Sequence, residues 1–142
     1  GDRSRLNSLI EALSNFDLPV VLPAHPRLVD YCNAFDIELS KGSLIIVPPL
    51  SHRELIAAAI ASKSVVTDSG GLQKECFLLK IPCSTIRTET EWKETLVNEW
   101  NIIVDDLSDL QRLSKRPAPE SEQPTPFGNG ETAERIIDYL FE

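Results

Sequence analysis

This sequence predicts an α/β fold, a three-layer sandwich around a parallel sheet, and three observations carry that expectation. Short β-branched runs alternate with helical periodicity along the chain, and such alternation calls for parallel strands joined by crossover helices. The 142 residues fit one domain of ordinary size, and 42% hydrophobic content is enough for its core. The stretch "VVTDSGGLQKE" (65–75) runs two β-branched residues through a glycine turn into a helix. Sheets of this kind bind ligands at the carboxyl ends of their strands, where that turn lies.

The elements follow in order. Leu6, Leu9, Ile10 and Leu13 recur at helical spacing, so residues 3–15 read as an amphipathic helix. "PVVLPAH" (19–25) is a short buried strand, and Leu28, Val29, Cys32 and Phe35 mark a helix beginning just after Pro26, a residue suited to a first turn. "SLIIV" (43–47) is the second strand, halted by Pro48-Pro49. In "SHRELIAAAIAS" (51–62), Ser51 with Glu54 three residues on forms a capping box. "SVVT" (64–67) is the third strand, and residues 71–79 the helix after it. "PCSTI" (82–86) is the fourth strand, followed by a short helix near 91–98, a strand at 101–104 and a helix at 106–113. Residues 114–130 hold four of the ten prolines and little apolar content. They predict an extended, partly mobile connection to the last helix, "ETAERIIDYLFE", from 131 onward. The loops that follow strands are 24–27, 48–51, 68–71, 87–90 and 105–106.

Composition excludes several function classes. A formal net charge of −8 speaks against a general nucleic-acid surface, though a local cluster of N–H donors still suits a small phosphorylated ligand. The three cysteines, Cys32, Cys76 and Cys83, include no CxxC pair and predict free thiols in a reducing, cytoplasmic setting. No run approaches the ~20 apolar residues of a membrane span, and no signal-peptide pattern is found. Gly1-Asp2 reads as an added or cut end, so the sequence is expected to be a piece of a longer chain.

The glycine turn has two readings. A helix start offers unpaired N–H groups and about half a positive charge, which attract phosphate. Gly70 and Gly71 let a ligand approach the backbone, Ser69 adds a hydroxyl, and Glu75, one turn on, suits the vicinal hydroxyls of a sugar. Equally, the turn is a good cap and tight corner. No Walker lysine and no GxGxxG accompany it. His25 ends the first strand at the correct edge for a site; the alternative is an imidazole satisfied by backbone at the strand exit. Arg87 ends the fourth strand, either for an anionic ligand or paired with Glu89 or Glu91. Capping or exposure is the default for His52. Trp92 and Trp100 read as packing residues, and nothing marks Cys76 or Cys83 as nucleophiles.

"LPAHPR", "TDSGGLQKE", "KIPCSTIRTETEWKETL" with "WNIIV", and "PFGNGETAERIIDYL" occur in this order. As a set they resemble the C-terminal half of the non-hydrolysing UDP-N-acetylglucosamine 2-epimerases. The resemblance implies one Rossmann-like half of a glycosyltransferase-B-like fold, binding UDP or a UDP-sugar without a cofactor or metal. On the matched motifs it implies that Ser69, Gly70 and Gly71 contact the diphosphate, Glu75 the ribose, with Arg87 also at the nucleotide and His25 as the catalytic candidate near the reaction centre. It further implies elimination of UDP and its re-addition with inversion at C2, in the cytoplasm, toward cell-surface polysaccharide.

Departures from the pattern are also visible. The strand and "HR-x-EN" loop that open the family's domain do not precede Arg3, so one central strand is expected to be absent or supplied by another chain. The N-terminal domain and its acid and base carboxylates are not in the sequence, so no turnover is expected from this chain alone. Family members are usually dimers, mostly through that other half. His52 and Leu55 stand where the family places aromatic residues, and Lys80 where glycine is common. "QKE" and "TEW" also resemble a branch acting on modified UDP-sugars. Two other readings are the donor domain of a glycosyltransferase of the same fold and a non-catalytic UDP-sugar-binding module.

Overall fold

The computed structural model describes residues 3–141; Gly1, Asp2 and Glu142, which carry the expected cut end and the last residue of the final helix, lie outside the described residues. The elements are α1 (Arg3–Ser14), β1 (Val20–Pro23), α2 (Pro26–Ala34), β2 (Leu44–Val47), α3 (His52–Ala61), β3 (Val65–Thr67), α4 (Gly70–Leu78), β4 (Cys83–Thr85), β5 (Asn101–Ile103), α5 (Leu110–Ser114) and α6 (Thr132–Phe141), with 3-10 segments at Lys93–Glu99 and Leu107–Asp109. The caps form as their residues dictate. Ser51 and Glu54 complete the capping box of α3, and Pro26 occupies the first turn of α2.

Two expected helices turn out irregular. The segment after β4 is 3-10 and breaks at Val97 and Asn98, the latter with φ 54°. The expected helix at 106–113 splits, because the Asp106 side chain accepts from Ser108 N–H and winds the first turn as 3-10. A polar side chain that bonds its own backbone competes with the α-helical pattern.

All strand pairings are parallel. Val20↔Leu44 sets the register of β1 with β2, Val65↔Cys83 that of β3 with β4, and Cys83↔Asn101 that of β4 with β5. Among the described residues the sheet is in two pieces, β1-β2 and β3-β4-β5. One apolar cluster nevertheless spans both. Ile10, Leu13, Cys32, Ile37, Leu44, Val104 and Leu110 are buried in it, with Val20, Leu22, Val66 and Ile102 packed alongside. Residues of opposite parity on the strands, Val65 and Cys83, join Ala59 and Cys76 in a second cluster under α3 and α4. Period-2 alternation thus puts α1, α2 and α5 on one face and α3 and α4 on the other. The face toward α3 is thinly covered beside the break: Val21 and Ile45 are about half exposed and Ile60 60% exposed.

The end of the sheet opposite the carboxyl ends of the strands is closed by Arg116. Its guanidinium donates to the carbonyls of Cys83 at 2.7 Å, Glu99 at 3.1 Å and Trp100 at 3.2 Å, and to Ser84 Oγ at 3.2 Å. Five donors in a planar fork can satisfy several converging carbonyls at once. The connection 114–130 is held down as well: Asn98 donates to Glu122 O, Gln123 to Phe77 O, and Phe127 packs edge-on against Phe77 with centroids 5.8 Å apart. Lys80 sits at φ 59°, just past the C-cap of α4. That left-handed backbone explains why glycine suits the position.

Two stability outcomes follow from these contacts. Arg116→Ala leaves several carbonyls without their donor and lowers the unfolding free energy by about 2–3 kcal/mol, measured by urea denaturation. Lys80→Gly relieves the left-handed strain and raises it by about 0.5–1 kcal/mol in the same assay, the relief of about 1–2 kcal/mol exceeding glycine's extra chain entropy.

Candidate functional site

The carboxyl ends of β1 to β4 bring His25, the 48–51 loop, the glycine turn and Arg87 to one edge. At the turn, Ser69 is the N-cap of α4: its backbone is extended, its Oγ accepts from Leu72 N–H at 3.5 Å, and its own N–H donates to Thr67 Oγ1 at 3.0 Å. The capping role is therefore realised. The Ser69 hydroxyl proton remains available, and the N–H groups of Gly70 and Gly71 have no protein acceptor among the described residues.

The two glycines differ. A Cβ on Gly71 would meet only Ser69 Oγ at 3.9 Å, so that side of the turn is open. A Cβ on Gly70 would come within 2.4 Å of Glu91 Oε1 and 3.2 Å of Trp92 Nε1. Gly70 thus packs the "TEW" segment against the turn, and the corner is open on one flank only.

The "TEW" segment is fixed from below. Gln73, on α4 and fully buried, accepts through Oε1 from Thr90 Oγ1 at 2.6 Å and from Asn101 Nδ2 at 3.3 Å. Asn101 also donates to Thr95 Oγ1 and accepts from Thr85 Oγ1. Trp92 lies under Lys74, whose ammonium is 4.8 Å from its ring centroid and 4.5 Å from that of Phe127. Trp92 packs and Trp100 is buried, as expected for packing residues. The Gln73 network and the Phe127 clamp were not singled out from sequence. A glutamine on the helix after the turn, with threonine and asparagine on neighbouring strand ends, was the only signal.

Arg87 realises its pairing alternative: Nη1 donates to Glu91 Oε2 at 2.7 Å. A hydrogen bond from its own backbone N–H, opposed by desolvation and assisted by the Arg87 guanidinium, holds the Glu91 carboxyl below its ordinary value. Residues 87–91 line an open hollow beside the turn. His25 caps α2, its Nδ1 accepting from Arg27 N–H at 3.2 Å, so the backbone alternative holds at that nitrogen while the ring is exposed and Nε2 faces outward from the bond. Glu75 is half-buried at the same edge and its Oε1 lies 2.6 Å from His52 Nε2. His52 was expected only to cap or to face solvent.

The three cysteines are free and buried. Hydrogen bonding to Cys83 first, and burial second, push the Cys76 thiol up, away from nucleophile chemistry. Among the described residues no group of acidic, histidine or cysteine side chains could hold a metal ion, and no helix is long and apolar enough to cross a membrane.

A UDP-N-acetylglucosamine 2-epimerase homolog of Methanococcus maripaludis is 34% identical over 97% of this chain and 40% of its own length. A UDP-2,3-diacetamido-2,3-dideoxy-D-glucuronate 2-epimerase of Pseudomonas aeruginosa is also 34% identical, over 98% of this chain and 40% of its own. The structure of UDP-GlcNAc 2-epimerase from Methanocaldococcus jannaschii superposes with a TM-score of 0.80 at 31% identity, covering 96% of this chain and 41% of that one. The same enzyme's crystal structure in complex with UDP-GlcNAc and UDP gives 0.76 at 30% identity, over 98% and 40% of the two chains. The chain therefore spans about 40% of the length of the curated relatives it matches, and its fold is half of a glycosyltransferase-B-like arrangement. The family model for UDP-N-acetylglucosamine 2-epimerase matches residues 1–141, and the chain belongs to that family.

Proposed function

We propose that this chain is the UDP-binding C-terminal half of a 2-epimerase acting on UDP-N-acetylglucosamine or a modified UDP-HexNAc. The observation that carries the proposal is the edge of the sheet itself. Two backbone N–H groups without protein acceptors among the described residues, at Gly70 and Gly71, share it with a half-exposed carboxylate one turn along the same helix, Glu75. Family membership and the structural likeness to an enzyme in complex with UDP-GlcNAc and UDP support reading that edge as a nucleotide site. The modified sugar is kept because the Pseudomonas relative, at the same identity, is named for one.

In this reading Gly71's open flank and the Ser69 hydroxyl receive the diphosphate, and Glu75 accepts from ribose hydroxyls. Arg87 adds a cation while retaining Glu91 as counter-ion, and His25 presents Nε2 toward the sugar side. The reaction class is elimination of UDP and its re-addition with inversion at C2. UDP is the leaving group, so donors aimed at its growing negative charge lower the barrier more than contacts to the neutral sugar do. One such donor is worth about 3 kcal/mol. The carboxylates acting as acid and base at C2 belong to an N-terminal domain supplied by the remaining 60% or so of the relatives' length, as 40% is matched here. The setting is the cytoplasm, in polysaccharide precursor synthesis, with a homodimer formed mainly through that other half.

Calorimetry tests the site. UDP binds the 142-residue chain, and Glu75→Gln weakens it about tenfold, as expected for losing a hydrogen bond to a charged acceptor. Unmeasurable UDP binding, or an unchanged affinity in the variant, refutes the assignment. A second outcome is expected by NMR: this chain incubated with UDP-GlcNAc forms no ManNAc product, and product formation would place the acid and base within these residues.

A further inference from the structure

The Glu75 carboxylate is not a loose surface group. Its Oε1 lies 2.6 Å from His52 Nε2, bridging α3 and α4 at the ligand-binding edge, while Oε2 has no protein partner among the described residues. With Glu75 ionised, Nε2 is the protonated nitrogen of the ring and donates, since the carboxylate only accepts. The histidine is itself held in place. It is the first residue of α3, directly after Ser51, whose N–H and Oγ both donate to Glu54 Oε2, at 2.8 Å and 2.6 Å. Its side chain is 73% exposed, so it fills no core.

We propose that His52 is a positioning residue for nucleoside recognition, holding one oxygen of Glu75 so that the other is presented to the ribose hydroxyls. The inference rests on the UDP-binding reading and deepens it. A glutamate on a helix surface samples several rotamers, and fixing such a side chain on binding costs up to about 1–2 kcal/mol. The hydrogen bond from His52 spends that ordering before the ligand arrives, which is preorganisation.

The test is calorimetry on the 142-residue chain with three probes: UDP, 2′-deoxy-UDP and inorganic pyrophosphate. The unsubstituted chain prefers UDP to 2′-deoxy-UDP. His52→Ala weakens UDP about fivefold, a modest loss in keeping with an exposed pair. It also brings the UDP to 2′-deoxy-UDP ratio toward one and leaves pyrophosphate affinity unchanged. His52→Gln, which keeps an N–H donor at similar reach, restores most of the ratio. A merely structural role would lower all three affinities together and would not be rescued in this way. His52→Ala binding UDP as well as the unsubstituted chain, or more tightly, with an unchanged ratio, overturns the proposal. An unsubstituted chain that binds UDP without preferring it to the deoxy form overturns it too. Absence of UDP binding in the unsubstituted chain instead refutes the nucleotide site itself, and this inference with it.

Discussion

The fully buried Gln73 amide is the constraint on which the candidate site depends. Its Oε1 receives Thr90 from the loop after β4 and Asn101 from the start of β5, so α4 and the edge of the sheet are locked in one arrangement. In a low-dielectric core these bonds are strong and their loss is costly, because a buried acceptor without a donor finds no water. Gln73 Nε2 has no protein acceptor among the described residues, so the acceptor side alone does the locking. From that lock follow the seating of Glu91 and Trp92 against Gly70 and the direction in which Arg87 meets Glu91.

The consequence is a division of labour between two adjacent residues. Gly70 is needed because the neighbouring loop occupies the space a side chain would take; Gly71 faces an open flank instead. What closely approaches Gly70 is the protein itself. The electrostatics at this corner are balanced: the N–H groups at the start of α4 and the Arg87 guanidinium favour an anion, while Glu91 already neutralises part of that attraction. The Glu91 carboxyl is held below its ordinary value by its own backbone N–H first and also by that arginine.

Two apolar surfaces lie away from this corner. β1 and β3 each end a piece of the sheet, with Val21 and Ile45 partly uncovered near the break, and α6 carries Ile136, Ile137, Tyr139, Leu140 and Phe141 with none of them buried. Contiguous apolar surface left exposed to this extent is uncommon on soluble monomers.

Local periodicity and turn chemistry alone determined the α/β class, the parallel strands, the capping box of α3 and the glycine turn between β3 and α4. Each of those is decided within a few residues: β-branched runs of period two, helical spacing such as Leu6, Leu9, Ile10 and Leu13, and Ser51 reaching Glu54. Which partner each site residue takes was decided only by the tertiary structure. Whether Arg87 faces a ligand or Glu91, whether the His25 Nδ1 is satisfied by backbone, and whether His52 meets solvent or Glu75 all depend on how separate elements come to lie side by side. Residues 52 and 75 stand 23 apart in the chain and on different helices. Hydrogen bonds are short and directional, so a pairing between two such residues cannot be read from spacing; it exists only once packing has brought α3 and α4 to the same edge.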